Sequence, residues 1–291
     1  MLGTGTQLDP YQITTVAEFR SMNDETAYYK LMNDLDVNDS EWASNWTQAT
    51  VEFKEFDGAG HEIRNINCPS MNSNGILYSP SKARTATIKN TNFLNIVMIG
   101  QNGTFYNSDV SSTFFYVHFL NCKFSFFCNI PTNSSSYSLM GYSTTNVKLS
   151  ECAVTITGVI GMVMTSALST AMVILQNCAF YMDCDITNAS ALFGSFSHGN
   201  KRAVNVYVTG KLRFATSTSY VFSQAYTQCY VACEITSTST VKFTSGRAST
   251  ACFYDKELAG ITMETQTNVH ALTTAQCKDK DYLNSIGFVV V

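Results

Sequence analysis

Three stretches decide the fold: Phe119-Leu-Asn-Cys-Lys-Phe124, Leu149-Ser-Glu-Cys-Ala-Val154 and Leu175-Gln-Asn-Cys-Ala-Phe180. Each opens on an apolar residue, carries Asn or Glu third and Cys fourth, and closes on an apolar residue. Two looser copies precede them, Ile63-Arg-Asn-Ile-Asn-Cys68 and Ile88-Lys-Asn-Thr-Asn-Phe93, and weaker echoes begin at Val206 and Val231. Successive starts fall 25–31 residues apart, a period that marks a solenoid. A coil of that length holds three short strands and three bends. One coil cannot bury its apolar face alone, so neighbouring coils must cover it. The expected fold is all-β: a single-chain parallel β-helix with short helical caps at both ends.

Stacking turns equivalent positions into ladders one strand spacing apart, about 4.8 Å. Cys122, Cys152 and Cys178 share one position and are read as an internal ladder of small buried residues. Cys128 and Cys184 each follow a ladder cysteine by six residues. The chain has 10 cysteines, no C-x-x-C pair and only 4 histidines, so zinc is not expected. Free buried thiols formed in a reducing compartment are the expected state. The Asn of the phrase suits a bend, where it tolerates left-handed backbone and can stack amide on amide; a neutral turn residue is an equally good reading.

Composition agrees with a β-rich chain surfaced by neutral polar groups. Of 291 residues, 14% are charged and 12% aromatic, and net charge is −4 without any basic block. Nucleic acid binding would need a Lys/Arg patch to neutralise phosphates, so it is not expected. The first residues have neither a basic nor an apolar leader segment, and no secretory signal is read. The apolar stretch Gly158–Leu175 is interrupted by Thr165, Ser166, Ser169 and Thr170; it reads as two buried strands and a turn, not a membrane span.

The ends differ from the centre. Residues 1–62 are expected to form an N-terminal cap and first strands, 63–245 the coils, and 246–291 a closing segment with a short helix. Thr15-Val-Ala-Glu18 fits a capping box, placing Val16, Phe19 and Met22 on one face of a short helix. Tyr28–Asp36 alternates as a strand. Asp57-Gly-Ala-Gly60 reads as a tight turn. Thr273-Thr-Ala-Gln276 can cap a second helix to about Leu283, with Gly287 ending it in left-handed geometry and Phe288 and 289–291 docking as an anchor.

Gly3-Thr-Gly-Thr-Gln-Leu-Asp-Pro-Tyr-Gln-Ile13, Tyr29-Lys-Leu-Met-Asn-Asp-Leu-Asp36, Phe56-Asp-Gly-Ala-Gly-His-Glu-Ile63 and the ending Leu272–Phe288 resemble the GLUG-type right-handed parallel β-helix family, whose members include phage virion components and bacterial surface modules. The resemblance is close over the first 66 and last 20 or so residues and holds only as pattern between them. The chain lacks the family's Trp-containing tail and its central Gly-Leu-type repeats. It implies a right-handed solenoid and brings no catalytic residue with it.

Residue chemistry leaves three function classes. A polysaccharide lyase or hydrolase needs paired carboxylates. Asp183 and Asp185 would share a strand face but have no basic partner nearby in sequence. Lys201 and Arg202, beside His198, fall in an apparent turn, and Asp34, Asp36 and Asp39 read as surface charge. Catalytic and metal residues are therefore expected to be absent, with no cofactor, and the chain is not expected to be an enzyme. The aromatic run Phe114-Phe115-Tyr116-Val117-His118-Phe119 is the binding candidate, through Phe114, Phe115, Tyr116 and Phe119, extended by Phe124, Phe126 and Phe127. In an alternating strand half of it would face out, unless a turn sends both sets inward. The leading expectation is a non-enzymatic structural protein of a bacteriophage virion (capsid decoration, fibre or tail component). It would be assembled in the host cytoplasm and bind other virion proteins or a host surface glycan, with homo-oligomers compatible and no membrane or nucleic acid involved. The alternative is a bacterial surface adhesin or glycan-binding module.

Overall fold

A computed structural model describes residues 1–71, 75–80, 85–100, 105–108, 116–131, 139–140, 146–161, 173–187, 191–193, 201–215, 218–222, 226–244, 251–263 and 268–288. The strands are short and every ladder pairing is parallel. They line up as three faces of a parallel β-helix. The first face stacks Tyr11–Ile13, Tyr28–Leu31, Glu55–Asp57, Thr85–Lys89, Tyr116–Leu120, Asn146–Ser150 and the starts of Val173–Ile186 and Lys201–Phe214. The second stacks Asn67–Met71, Asn92–Gly100, Lys123–Ile130, Ala153–Ile160, the later parts of Val173–Ile186 and Lys201–Phe214, and Tyr230–Ser237. The third is seen in two pieces: Ala49–Thr50, Leu77–Ser79 and Tyr106–Ser108, then Ala191–Phe193, Thr218–Phe222 and Thr240–Thr244. Pairing already runs Tyr29↔Phe56↔Ile88, so the stack reaches back to Tyr11 through the expected boundary at residue 62.

The repeated phrase is the bend between the first and second faces. Asn90, Asn121, Asn177 and Asn205 have φ of 50–54°, a region that costs ordinary L residues about 1 kcal/mol or more but admits Asn. Their amides stack: Asn121 Nδ2 donates to Asn90 Oδ1 at 2.9 Å, Asn205 to Asn177 at 3.0 Å, and Asn90 to the Asp57 carboxylate at 3.1 Å. Of the two readings of this Asn, the amide ladder is the one observed. A second, shorter ladder joins Asn95 to Asn65 at 3.2 Å.

The cysteines are more than small core residues. Cys122 Sγ donates to the Ile88 carbonyl, Cys152 to Phe119, Cys178 to Leu149 and Cys229 to Ala203. Each reaches the phrase's first residue in the preceding coil. Each also meets the carbonyl two residues before itself. Thr91, one coil below Cys122, makes that second bond with its hydroxyl at 2.8 Å. The thiol therefore satisfies carbonyls left over where the chain turns, a role hydroxyl can share. None of the ten cysteines, all of them among the described residues, is joined in a disulfide, and nine are buried.

Inside, aromatic rings stack along the axis. Phe93, Phe124, Phe105 and Phe119 lie 5.0–5.9 Å apart, and Phe180, Phe193, Phe222 and Phe243 continue at 4.8–5.3 Å. Such pairs contribute about 0.5–1.5 kcal/mol beyond area burial.

The N-terminal capping box forms as expected, with helix Val16–Arg20 and Val16, Phe19 and Met22 buried. Arg20 is sandwiched between Trp42 and Trp46, 4.5 Å from each ring centre. Gly58 and Gly60 divide the work of the expected turn. Gly60 and Ala59 take positive φ, whereas a Cβ on Gly58 would meet Thr91 Oγ1 at 2.3 Å. Tyr28–Asp36 is two strands, Tyr28–Leu31 and Leu35–Asp36, separated by a bend.

At the C-terminus the expected single helix is two, Thr274–Lys278 and Lys280–Ser285, each with its own N-cap, Thr273 and Asp279. Gly287 has φ 82° as expected, while 289–291 lie outside the described residues. Leu283 and Phe288 pack on Phe253, Tyr230 and Tyr207 in a small core of their own. Phe253 alternates with the inward Cys252 and Tyr254, so these helices cover the outer side of the last strands. An unanticipated helix, Lys256–Ala259, contributes Ala259 to the main core. The buried Asp255 caps it and holds the Thr274 hydroxyl at 2.8 Å, tying the two helical pieces together.

The echoes at Val206 and Val231 were offset. Val206 aligns with Cys178, and Val231 through Val208 with Phe180. The true phrase starts are Ala203 and Tyr226: Ala203-Val-Asn-Val has Val where Cys122, Cys152 and Cys178 stand, and Tyr226-Thr-Gln-Cys keeps the cysteine but has Gln in place of Asn. The copy at Ile63 is offset too, since Ile63 aligns with Phe93 and it is Phe56 that stacks on Ile88. Residues 162–172 of the apolar stretch lie outside the described residues. No helix among the described residues is long and apolar enough to cross a membrane.

Candidate functional site

Alternation on the second face is strict enough to name its outer side chains. Phe124, Phe126, Cys128 and Ile130 point in, as do Val154, Ile156 and Ile160, Phe180, Met182, Cys184 and Ile186, and Val208, Leu212 and Phe214. Pairing then aligns the outer positions across coils. Ser125, Thr155, Tyr181 and Thr209 form one column; Phe127, Thr157, Asp183, Lys211 and Glu234 the next; and Asn129, Val159, Asp185, Arg213 and Thr236 the third. Phe127 and Tyr181 are 50% and 47% exposed.

Arg213 lies one coil beyond the two aspartates and holds both. Its Nη1 donates to Asp183 at 2.8 Å and its Nε to Asp185. These bonds, Asp185's first, hold the guanidinium above its ordinary range. Lys211 pairs with Glu234 at 3.0 Å and is raised for the same reason. The expectation that Asp183 and Asp185 lack a basic partner is thus corrected: the partner is about 30 residues away in sequence and one strand away in space. Lys201 and Arg202 are likewise not in a turn but open the strand Lys201–Phe214, and His198 lies outside the described residues.

The aromatic run divides. Phe119 is fully buried and offers no contact surface, because the strand Tyr116–Leu120 turns Val117 and Phe119 into the core. Phe124 and Phe126 are buried as well, and only Phe127 of that group faces out. Tyr116 opens the strand opposite Thr85 and Asn146; Phe114 and Phe115 lie outside the described residues. Tyr181, Lys211, Arg213 and Glu234 were missed. The available signal was a fixed offset from the phrase: Tyr181 stands six residues after Leu175 as Ser125 and Thr155 do after Phe119 and Leu149, and Lys211 and Glu234 stand eight after Ala203 and Tyr226 as Phe127, Thr157 and Asp183 do after their own starts.

Asp34, Asp36 and Asp39 line a groove of about 460 Å³ with Glu41, Trp42 and Thr14. Two of the three are already engaged. Asp34 accepts from the Glu62 N–H at 3.0 Å and meets His61 at 3.1 Å. Asp36 accepts from Asn65 at 2.8 Å and Arg64 at 3.0 Å. These bonds lower both carboxyls, the Glu62 N–H leading at Asp34 and the Asn65 amide at Asp36. Among the described residues no group of three His, Cys, Asp or Glu side chains is placed to hold a metal ion.

No family model matches the chain, and no curated protein does. Among solved structures it is similar to one described as a "putative immunoglobulin A1 protease from Bacteroides ovatus", at 14% identity and a TM-score of 0.46, covering 97% of this chain and 89% of that one. No family match supports the GLUG resemblance, and what stands is a parallel β-solenoid. The expectation that the chain is not an enzyme is withdrawn, since this neighbour bears a protease's name. The likeness is too slight to carry an activity across.

Proposed function

We propose that the chain is a structural component of a bacteriophage virion, a rigid β-helical docking module whose contact surface is the outer side of the second face. One observation carries the reading: Phe127 and Tyr181 stand half exposed on a strand surface where Asp183, Asp185, Lys211, Arg213 and Glu234 are already paired with one another. Exposed aromatics on a surface fixed by stacked hydrogen bonds need little ordering to bind. Ten cysteines outside any disulfide suit assembly in a reducing cytoplasm. A bacterial surface adhesin would use the same face, and the thiols place it second.

Mass spectrometry of density-purified particles should find this chain; its absence would overturn the virion setting. In co-sedimentation, wild type should be recovered with particles lacking the chain or with bacterial envelopes, and the double variant Phe127→Ser, Tyr181→Ser with neither. Equal recovery of both proteins would overturn the contact surface.

A further inference from the structure

Docking surfaces between proteins gather their apolar side chains into a compact centre that water leaves. The outer side of the second face is built otherwise. Phe127 and Tyr181 are two coils apart, about 10 Å along the axis at the usual strand spacing, and offset by one column. Thr155 and Thr157 occupy the coil between them. The two rings are thus spaced along the axis, at right angles to the strands.

We infer that the occupant of this face is a glycan chain of little net charge, lying across the strands along the axis of the β-helix; this rests on the docking reading above. A pyranose chain presents C–H faces that stack on aromatic rings, with hydroxyls between them that both donate and accept. The face offers the matching set: Phe127 and Tyr181 as stacking platforms, the intervening threonine hydroxyls, Asp183 and Asp185 as acceptors, and Arg213 and Lys211 as donors. Arg213 orients both aspartates, so these polar groups are set before binding. Charge argues for a neutral polymer. Lys211 and Arg213 are both held by carboxylates, three to their two, so the group carries a net −1, and an anionic chain would have to draw Arg213 off two aspartates. A linear polymer also suits two platforms spaced along the axis.

The test is an array of bacterial capsular and lipopolysaccharide glycans, followed by titration of the glycans retained. Wild type should bind neutral polysaccharides with little salt dependence. Tyr181→Ala and Phe127→Ala should each weaken binding at least tenfold with unchanged melting temperature. Arg213→Gln should weaken it while leaving stacking, and so residual binding, in place. Binding confined to anionic glycans and abolished by salt would overturn the inference, as would undiminished binding by both aromatic variants. Absence of glycan binding by a wild type that still sediments through Phe127 and Tyr181 would overturn the glycan and leave the docking surface standing, with a protein as its partner.

Discussion

Glu151 sits where the ladder calls for asparagine. Its φ is 57°, between Asn121 and Asn177, and its carboxylate cannot donate to the amide below. Replacing it by Asn should relieve the left-handed backbone and join the two ladder halves, raising stability by about 0.5–1 kcal/mol, read as a higher melting temperature; a lower one would mean the amides do not couple. The thiols allow a matching test. Cys152 bonds the Phe119 and Ser150 carbonyls, and the Cys122 thiol first, then burial, push its pKa up to about 12 against the opposing pull of Cys178. Cys152→Thr should keep most of the stability, as Thr91 does in the first coils, whereas Cys152→Asp buries an unpartnered carboxylate and should cost roughly 3 kcal/mol or more. Chemical denaturation of the pair checks both, and equal losses would contradict the carbonyl-capping role.

Two elements carry pH dependence of opposite origin. In the N-terminal helix, burial works to raise Glu18, but hydrogen bonds from Thr14 and the ion pair with the chain's amino group outweigh it and lower the pKa to about 2. Its contribution is present above the ordinary value of 4.5 and disappears as pH falls toward about 2. Glu18→Gln should therefore melt lower than wild type near neutrality, by about 1 kcal/mol given its partial exposure, and match it near the acid end. On the first face, burial and then Lys148 depress His118, whose Nε2 lies 3.1 Å from the Ser150 hydroxyl. Stability there falls as pH drops below the ordinary 6.5, because the unfolded chain takes the proton first. His118→Gln should flatten the loss that wild type shows on mild acidification. The bend between the first two faces was legible in the sequence because its geometry admits few residues: Asn for the left-handed corner, Cys or Thr for the carbonyls. The charged columns were not, because Asp183 and Arg213 meet only through stacking and any polar residue satisfies an outer position locally. The third face carries no phrase, so the period announced a third strand per coil without placing it.

For the whole molecule, the ladders make the fold a register problem. The inner and outer sets of every strand on the second face differ by a single residue, and a slip of one would bury Tyr181 and expose Met182 and Cys184. The docking face and the glycan inferred for it both depend on that register. It also predicts the chemistry of the thiols: alkylation under denaturing, non-reducing conditions should find all ten free, and resistant pairs would contradict the stacked arrangement. The most direct test compares Tyr181→Cys with Met182→Cys under native conditions, counting maleimide additions by intact mass. Tyr181→Cys should gain one rapidly labelled site over wild type and Met182→Cys none; labelling of Met182→Cys with protection of Tyr181→Cys would contradict the account.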